Sequence, residues 1–261
     1  MASIVTQPAV VRATGATDAV EAFGDGSGVT VLAGGTIVTP LIWHGTRHPE
    51  RVLMLAPSAL GELVDDETLT IGATVTLARL AEVAPEPLAS AARLPDPEIR
   101  GQATVGGNLH VGGDLQPALL VLGARVRSAG AGGERVEPVA DYLAGGASRL
   151  VLSLELERPL AGAYLAQRRR HSHTASVLSV AAARCLDGVH VAVGSLAELA
   201  PAVACPSVDR ALAAGASASE AAAVVLEDAH PEDDSLASAW YRRRVLPVLV
   251  ARVLQQLGEA R

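Results

Sequence analysis

The stretch Ala103-Thr104-Val105-Gly106-Gly107-Asn108-Leu109 is the part of the sequence on which the interpretation of the whole chain depends. Its Asn108 is the only asparagine among the 261 residues, and it lies beside a pair of glycines. Paired glycines allow positive φ angles and let a ligand approach the main chain closely, and successive amide N–H groups in such a turn can bind an anion. A tight turn between two strands would have the same sequence. The stretch alone leaves both interpretations open.

A second glycine pair lies upstream. Val29-Thr30-Val31-Leu32-Ala33-Gly34-Gly35-Thr36 is an apolar run that ends in Gly-Gly-Thr, and Ile37-Val38-Thr39-Pro40-Leu41-Ile42 follows it. This pattern predicts a strand that turns on two glycines into a short helix, where unpaired N–H groups favour a phosphate. Two such turns, each flanked by a threonine, predict a site that holds a pyrophosphate, with Thr36 and Thr104 donating hydroxyl hydrogen bonds.

The order of these motifs resembles the FAD-binding (medium) subunit of the molybdopterin hydroxylases, the family of xanthine dehydrogenase and carbon monoxide dehydrogenase. Those subunits carry an AGGT-like loop, a later Arg followed by TIGGN or TVGGN, and then an Asp. The counterparts in this sequence are Ala33-Gly34-Gly35-Thr36, Ile99-Arg100, Thr104-Val105-Gly106-Gly107-Asn108 and Asp114, and the segment Leu69–Thr76 is similar to the "iGA.vt" segment between them. The resemblance covers nearly the whole chain in the right order.

The resemblance implies an α+β fold with two domains. A two-lobed FAD-binding domain of the PCMH type is expected at residues 1–158, with Pro159 to Gly162 as the linker. A smaller α/β C-terminal domain with a short antiparallel sheet is expected at residues 163–261. The segment Ser238-Ala239-Trp240-Tyr241-Arg242 is similar to the "sa.yR" segment of that domain.

The function implied by the resemblance is that of an FAD-dependent oxidoreductase subunit. FAD would receive electrons from iron–sulfur clusters and pass them to NAD+ or another acceptor. The implied partners are an iron–sulfur small subunit and a molybdopterin large subunit, together forming a heterooligomer. Because the chemistry would belong to the cofactor, no catalytic side chain is expected on this chain.

The resemblance also identifies the residues expected to bind FAD. They are Ala33, Gly34, Gly35, Thr36, Thr104, Gly106, Gly107, Asn108 and Asp114. Asn108 would orient the second loop or bond the cofactor, and Asp114 would bond the ribityl or ribose hydroxyls, as a carboxylate beside a diol can. Asp114 could instead cap the following helix. Relatives usually have a longer loop with a Ser-Pro at this point, whereas only Leu109-His110-Val111-Gly112-Gly113 separates Asn108 from Asp114 here.

The densest cationic cluster of the sequence is Arg168-Arg169-Arg170 with His171 and His173. It matches a family segment in which a basic residue often lies near the flavin ring, but Ala166 stands where the usual lysine would be. A solvated charge run or a subunit contact has the same pattern, and a metal site would need more ligands than these two histidines. His44 and His48 are expected at the surface rather than as flavin attachment points.

Composition excludes several classes of protein. The net charge of −7 disfavours nucleic acid or an anionic membrane as the main partner. All 21 basic residues are arginine, which excludes a lysine Schiff base and the lysine of a P-loop. Cys185 and Cys205, the only cysteines, cannot ligate a four-cysteine iron–sulfur cluster. Without a signal peptide or a long apolar run, a cytoplasmic location is expected.

A different class of function stays open at this stage. The chain could be a stand-alone flavoprotein, or a repurposed protein on the same scaffold that uses the FAD cleft for a non-redox ligand. The shortened loop before Asp114 and the alanine at position 166 favour this alternative. Neighbouring genes for an iron–sulfur protein and a molybdopterin protein would distinguish the two hypotheses.

Periodicity and turn residues predict most of the remaining elements. Helices are predicted over Thr17–Phe23 with Thr17 as N-cap, from Ser217 to Leu226, and over Ser235–Leu257 with a kink or break at Pro247. Alternation predicts a strand over Gly188–Gly194.

Overall fold

The computed structural model describes residues 8–146, 148–169 and 175–259 of the chain. The expected α+β class is confirmed, because helices accompany three separate sheets of three, five and four strands. No helix in the described ranges is both long enough and apolar enough to cross a membrane.

The N-terminal lobe is a small parallel sheet with the strand order β1-β3-β2. Its elements are β1 (Ala9–Ala13), α1 (Ala16–Phe23), β2 (Val29–Leu32), α2 (Val38–Trp43) and β3 (Arg51–Leu55). Helix α1 buries Ala19 and Phe23. Its N-cap is Gly15, so the prediction that Thr17 caps this helix is wrong.

The second lobe is an antiparallel sheet with the order β4-β5-β8-β6-β7. Its strands are β4 (Leu63–Asp65), β5 (Leu69–Gly72), β6 (Arg125–Gly130), β7 (Gly133–Pro138) and β8 (Leu150–Leu156). The helices of this lobe are α3 (Leu77–Val83), α4 (Leu88–Arg93), α5 (Pro97–Gln102), α6 (Val105–His110), α7 (Leu115–Val121) and α8 (Val139–Ala144). The two lobes share one hydrophobic core.

The C-terminal part contains the expected short antiparallel sheet, in the order β12-β11-β10-β9. Its elements are β9 (Ala161–Arg168), β10 (Ser176–Cys185), β11 (Gly188–Gly194), β12 (Val203–Ala204), α9 (Pro206–Ala213), α10 (Ala218–Ala223) and α11 (Ala239–Glu259). Strand β11 has the predicted bounds. Ser217 caps α10, as predicted, and it also forms a capping box with Glu220. The helix ends at Ala223 rather than at the predicted Leu226.

Helix α11 begins four residues later than predicted. The carboxylates of Asp233 and Asp234 accept hydrogen bonds from the amide N–H groups of Ala239, Ala237 and Leu236, so the preceding residues form a capped turn instead of helix. Of the predicted kink or break at Pro247, the break is wrong, because α11 is one continuous helix through this residue; a kink remains a prediction.

Strand β10 is buried on both faces. Ala181 and Ala183 belong to the core of the first two lobes, whereas Leu178, Val180 and Ala182 pack with α11 in a second core. The C-terminal sheet therefore lies between α7 and α11. The predicted domain limits, 1–158 and 163–261, remain a prediction. The first core also contains Tyr164 and Ala192 of the C-terminal part, and β9 already begins at Ala161, inside the predicted linker.

Candidate functional site

The first glycine pair lies where the sequence predicts it, between strand β2 and helix α2. Gly35 has a φ of 72°, a conformation that favours glycine. A Cβ atom added to Gly34 would overlap the carbonyl oxygen of Gln102, at the end of α5. The absence of a side chain at Gly34 thus lets the two glycine segments approach each other closely.

The amide N–H groups of Gly34, Gly35 and Thr36 have no hydrogen-bond acceptor among residues 8–146, 148–169 and 175–259. An unpaired donor that is shielded from water costs free energy. All of these residues are partly buried and line a cleft. A cluster of unpaired N–H groups facing a cleft is suited to binding an anion.

The second glycine pair is not the turn that was expected. Gly106 and Gly107 form the first turn of helix α6, and neither has a positive φ. Thr104 is the N-cap, and its Oγ1 accepts a hydrogen bond from the Gly107 N–H at 3.3 Å. Because this oxygen accepts, the hydroxyl hydrogen of Thr104 stays available for a ligand.

The two glycines of α6 have different reasons to lack a side chain. The Gly106 N–H donates to the carbonyl oxygen of Ala73 at 2.9 Å, and an added Cβ would lie 2.9 Å from the Cβ of Ala73. Gly106 is therefore required by packing. Gly107 is exposed, and the only described atom near an added Cβ would be Thr104 Oγ1, at 3.0 Å.

Asn108 fixes the short loop that follows. Its Oδ1 accepts a hydrogen bond from the Leu115 N–H at 3.0 Å, and its carbonyl oxygen accepts one from the Gly113 N–H at 3.1 Å. A Cβ on Gly113 would overlap the Asn108 side chain. Asn108 thereby closes loop 109–113 and holds the first amide group of α7. Its role in orienting the second glycine segment or binding the cofactor remains a prediction.

Asp114 occupies the N-cap position of α7, but its side chain accepts no hydrogen bond from the amide groups of the helix, so the alternative of a side-chain cap is not observed. Its backbone carbonyl accepts a hydrogen bond from the Tyr164 hydroxyl at 2.9 Å, which joins the loop to β9. Burial raises the pKa of the Asp114 carboxyl, and the Ser176 hydroxyl, the charge of Arg168 and the Tyr164 hydroxyl offset this only in part. The carboxyl group therefore lies in a desolvated environment at the edge of the cleft.

These elements enclose a cleft of about 820 Å³. All of the residues expected from the sequence line it: Ala33, Gly34, Gly35, Thr36, Thr104, Gly106, Gly107, Asn108 and Asp114. A further part of the lining, the C-terminal wall, consists of Ser195, Leu199, Asp234 and Leu236. Ser195 and Leu199 both have a φ of 58°, which is uncommon for residues other than glycine. Sequence reasoning missed this wall.

The C-terminal wall is anchored by Arg242, which is fully buried in α11. Its guanidinium donates to the carbonyl oxygens of Val177, Glu232 and Ala237 and forms an ion pair of 2.7 Å with Asp234. The Glu232 N–H in turn donates to the Leu196 carbonyl at 3.0 Å, which connects the two loops of the wall. A single arginine on the apolar face of α11 is the sequence signal that could have revealed this role.

The remaining candidates lie away from the cleft or outside the described ranges. His44 and His48 are exposed, as predicted. Arg170, His171 and His173 of the cationic cluster lie outside the described residues. Within the described part of the chain, no three His, Cys, Asp or Glu side chains are grouped as metal ligands.

Comparison with known proteins places this cleft in a family. Residues 5–156 match the family described as the FAD binding domain in molybdopterin dehydrogenase. Carbon monoxide dehydrogenase from Hydrogenophaga pseudoflava has a similar structure, with a TM-score of 0.85 and 21% identity over 97% of this chain and 98% of the other. For CO dehydrogenase from Oligotropha carboxidovorans the TM-score is 0.84, with 20% identity over 98% and 99% of the chains.

Quinoline 2-oxidoreductase from Pseudomonas putida 86 is a further structural relative, with a TM-score of 0.79 and 19% identity over 97% and 98% of the two chains. At these identities the structures establish a common fold. The family match covers more than half of the sequence and includes both glycine segments. The chain therefore belongs to the FAD-binding family of the molybdopterin dehydrogenases, a family of oxidoreductases, and FAD is its cofactor.

Proposed function

We propose that this chain is the FAD-carrying electron-transfer subunit of a multi-subunit molybdenum hydroxylase of the xanthine or CO dehydrogenase type. The observation that carries the proposal is the convergence of both glycine segments, Asn108 and Asp114 on one cleft. FAD supplies the redox chemistry when bound, and this chain's residues supply binding and orientation.

The cleft fits a ligand of the size and polarity of FAD. Its volume of about 820 Å³ lies within the usual range for ligand pockets, about 300–1,000 Å³. Apolar side chains such as Leu55, Leu77 and Ile99 line it together with the unpaired amide groups. This combination suits a cofactor with an extended aromatic ring at one end and charged phosphates in its middle.

We assign the pyrophosphate to the glycine segments. The amide N–H groups of Gly34, Gly35 and Thr36 would donate to phosphate oxygens, and the Thr104 hydroxyl would donate from the opposite side. The exposed main chain at Gly107 leaves room for this approach. Asp114 would bind sugar hydroxyl groups from its position at the start of α7. Asn108 would act indirectly, through loop 109–113.

Iron–sulfur and molybdenum centres would lie on other chains of the complex. The two cysteines are too few for a cluster, and burial raises the pKa of both thiols, which disfavours the thiolate form that binds metal. We therefore propose an iron–sulfur small subunit and a molybdopterin large subunit as partners, and NAD+ or another acceptor as the destination of the electrons. A cytoplasmic location remains a prediction from the sequence.

The proposal is tested by adding FAD to the purified protein and measuring flavin absorbance after gel filtration. We expect a yellow protein that releases FAD on heating or with acid, because no Cys or Tyr of the described residues lines the cleft, and the ring of His110, which does, is held by the Gly106 carbonyl at 2.9 Å. A protein that neither carries nor takes up FAD would contradict the proposal and favour the repurposed scaffold.

A matched pair of glycine variants tests the site itself. Gly107→Val should abolish FAD binding with the fold intact, because its side chain would enter the cleft at a position without positive φ. Gly101→Val is the control. Gly101, like Gly107, is an exposed glycine within a helix, but it does not line the cleft, and no described atom lies within 4 Å of an added Cβ. Normal FAD binding by Gly107→Val would remove α6 from the pyrophosphate site. Circular dichroism checks folding in both variants.

A further inference from the structure

Within the described ranges, four basic side chains line the cleft: Arg47, His110, Arg149 and Arg242. Three of them are already engaged by the protein. The Nδ1 of His110 donates to the Gly106 carbonyl at 2.9 Å, Arg149 donates to the Ala131 carbonyl at 2.9 Å, and Arg242 holds the C-terminal wall. The guanidinium of Arg47 has neither a hydrogen bond nor an ion pair with any described residue.

The backbone around Arg47 is nevertheless well fixed. The amide N–H groups of Thr46 and Arg47 donate to the carbonyl oxygen of Leu41 at 3.0 and 3.1 Å, and the Thr46 hydroxyl donates to the same oxygen at 2.9 Å. Gly45, with a φ of 69°, allows the chain to reverse after α2. These bonds fix the loop after α2, and Arg47 lines the same cleft as Gly34 and Gly35.

A full positive charge at this position would strengthen the binding of an anionic ligand. The protein carries a net charge of −7, so its overall field disfavours a pyrophosphate. Backbone amide groups contribute only partial charges. A guanidinium forms paired, charge-assisted hydrogen bonds with phosphate oxygens and is always protonated.

We propose that Arg47 binds the phosphate groups of FAD and provides the positive charge that the amide groups of the glycine loops lack. This inference rests on the proposed function and adds a binding residue that lies outside the glycine motifs and Asp114. Arg47 is exposed and lines the cleft, so its guanidinium is accessible to a phosphate bound there.

The test compares three variants of the full chain: Arg47→Gln, Arg47→Lys and, as a control, Arg12→Gln. Arg12 is an exposed arginine on β1 that does not line the cleft. FAD is titrated into each apoprotein at increasing potassium chloride, and the Kd is measured from flavin fluorescence. We expect Arg47→Gln to raise the Kd for FAD about tenfold at low salt, as for the loss of a charged hydrogen bond. The Kd of this variant should also change less with salt concentration than the Kd of the wild type. Arg47→Lys should retain the salt dependence and part of the affinity.

Each outcome decides the inference. If the wild type does not bind FAD, the proposed function and this inference fail together. If the wild type binds FAD and Arg47→Gln matches Arg12→Gln in affinity and salt dependence, the proposed function stands and the role of Arg47 is refuted. An equal loss in Arg47→Gln and Arg12→Gln would show a general effect of net charge and also refute it.

Discussion

Replacing Arg242 with methionine should be among the most damaging single changes in this protein. The side chain is completely buried, and the carboxylate of its partner Asp234 is only 6% exposed. Methionine fills a similar volume but can donate none of the hydrogen bonds. The change would leave a buried carboxylate without its cation and three carbonyl oxygens without this donor.

We expect Arg242→Met to lower the free energy of unfolding by about 3–5 kcal/mol, the range found when one partner of a buried ion pair is removed. Removing the stranded charge should recover part of this loss. The double variant Arg242→Met/Asp234→Asn should therefore be more stable than the sum of the single effects predicts, by about 0.5–3 kcal/mol.

The ion pair of Arg242 and Asp234 should also affect how the free energy of unfolding depends on pH in the acid range. Burial alone would raise the pKa of Asp234, but the hydrogen bonds from Arg242, Ala237 and Leu236 lower it below the ordinary value of 3.8. A carboxyl group whose pKa is lower in the folded state stabilises the fold at pH values above its pKa in the unfolded state. This stabilisation is lost as the pH falls through the pKa of the folded state. The stability of Arg242→Met should therefore fall much less than that of the wild type as the pH drops below 3.8.

Urea unfolding followed by circular dichroism measures these free energies. Arg244→Met is the control, since Arg244 is exposed on the same helix and its only described contact is with the Trp240 ring at 6.0 Å. We expect the control to change stability by less than about 1 kcal/mol. Equal stability of Arg242→Met and Arg244→Met would refute the argument that Arg242 anchors the wall.

Four further outcomes follow from the site and its surroundings. Gly34→Ala should destabilise the fold itself in urea unfolding, because its Cβ would overlap the Gln102 carbonyl. Asp114→Ala should weaken FAD binding in a fluorescence titration less than Gly107→Val does, since it leaves the amide groups in place. Partial burial lowers the pKa of His190, but its hydrogen bonds with two carboxylates raise the pKa above 6.5 overall. The protonated ring therefore stabilises the fold below pH 6.5, and this effect is lost as the pH rises through the folded pKa. The thermal unfolding temperatures of the wild type and His190→Gln should converge at alkaline pH. The chain expressed alone should not oxidise xanthine-type substrates in a turnover assay; robust turnover would contradict its assignment as a subunit.

The sequence predicted the elements whose signals are local. The strand, glycine turn and helix over residues 29–43 depend on an apolar run and on the φ of Gly35, both of which belong to neighbouring residues. The capping box at Ser217 is local in the same way. Local patterns of this kind survive folding because the tertiary structure does not oppose them.

The second glycine segment and the C-terminal wall depend on distant residues. Gly106 lacks a side chain because Ala73 lies against it, a contact across 33 positions that no local pattern contains. The start of α11 moved to Ala239 because carboxylates of the preceding turn bind its amide groups and Arg242 holds that turn. Such choices between helix and capped turn are decided by tertiary contacts rather than by propensity.

Strand β10 is buried on both faces, so the width of the cleft should depend on the size of the alanine side chains that pack beneath it. Ala181 and Ala183 are fully buried in the core that also contains the buried residues of α7, and Asp114 immediately precedes that helix. Closely packed interiors transmit a change of volume to their neighbours. A larger residue at either alanine would push the sheet from α7 and with it the loops that face the glycine segments. Substitutions of these two alanines, which do not line the cleft, are therefore expected to change the affinity for FAD.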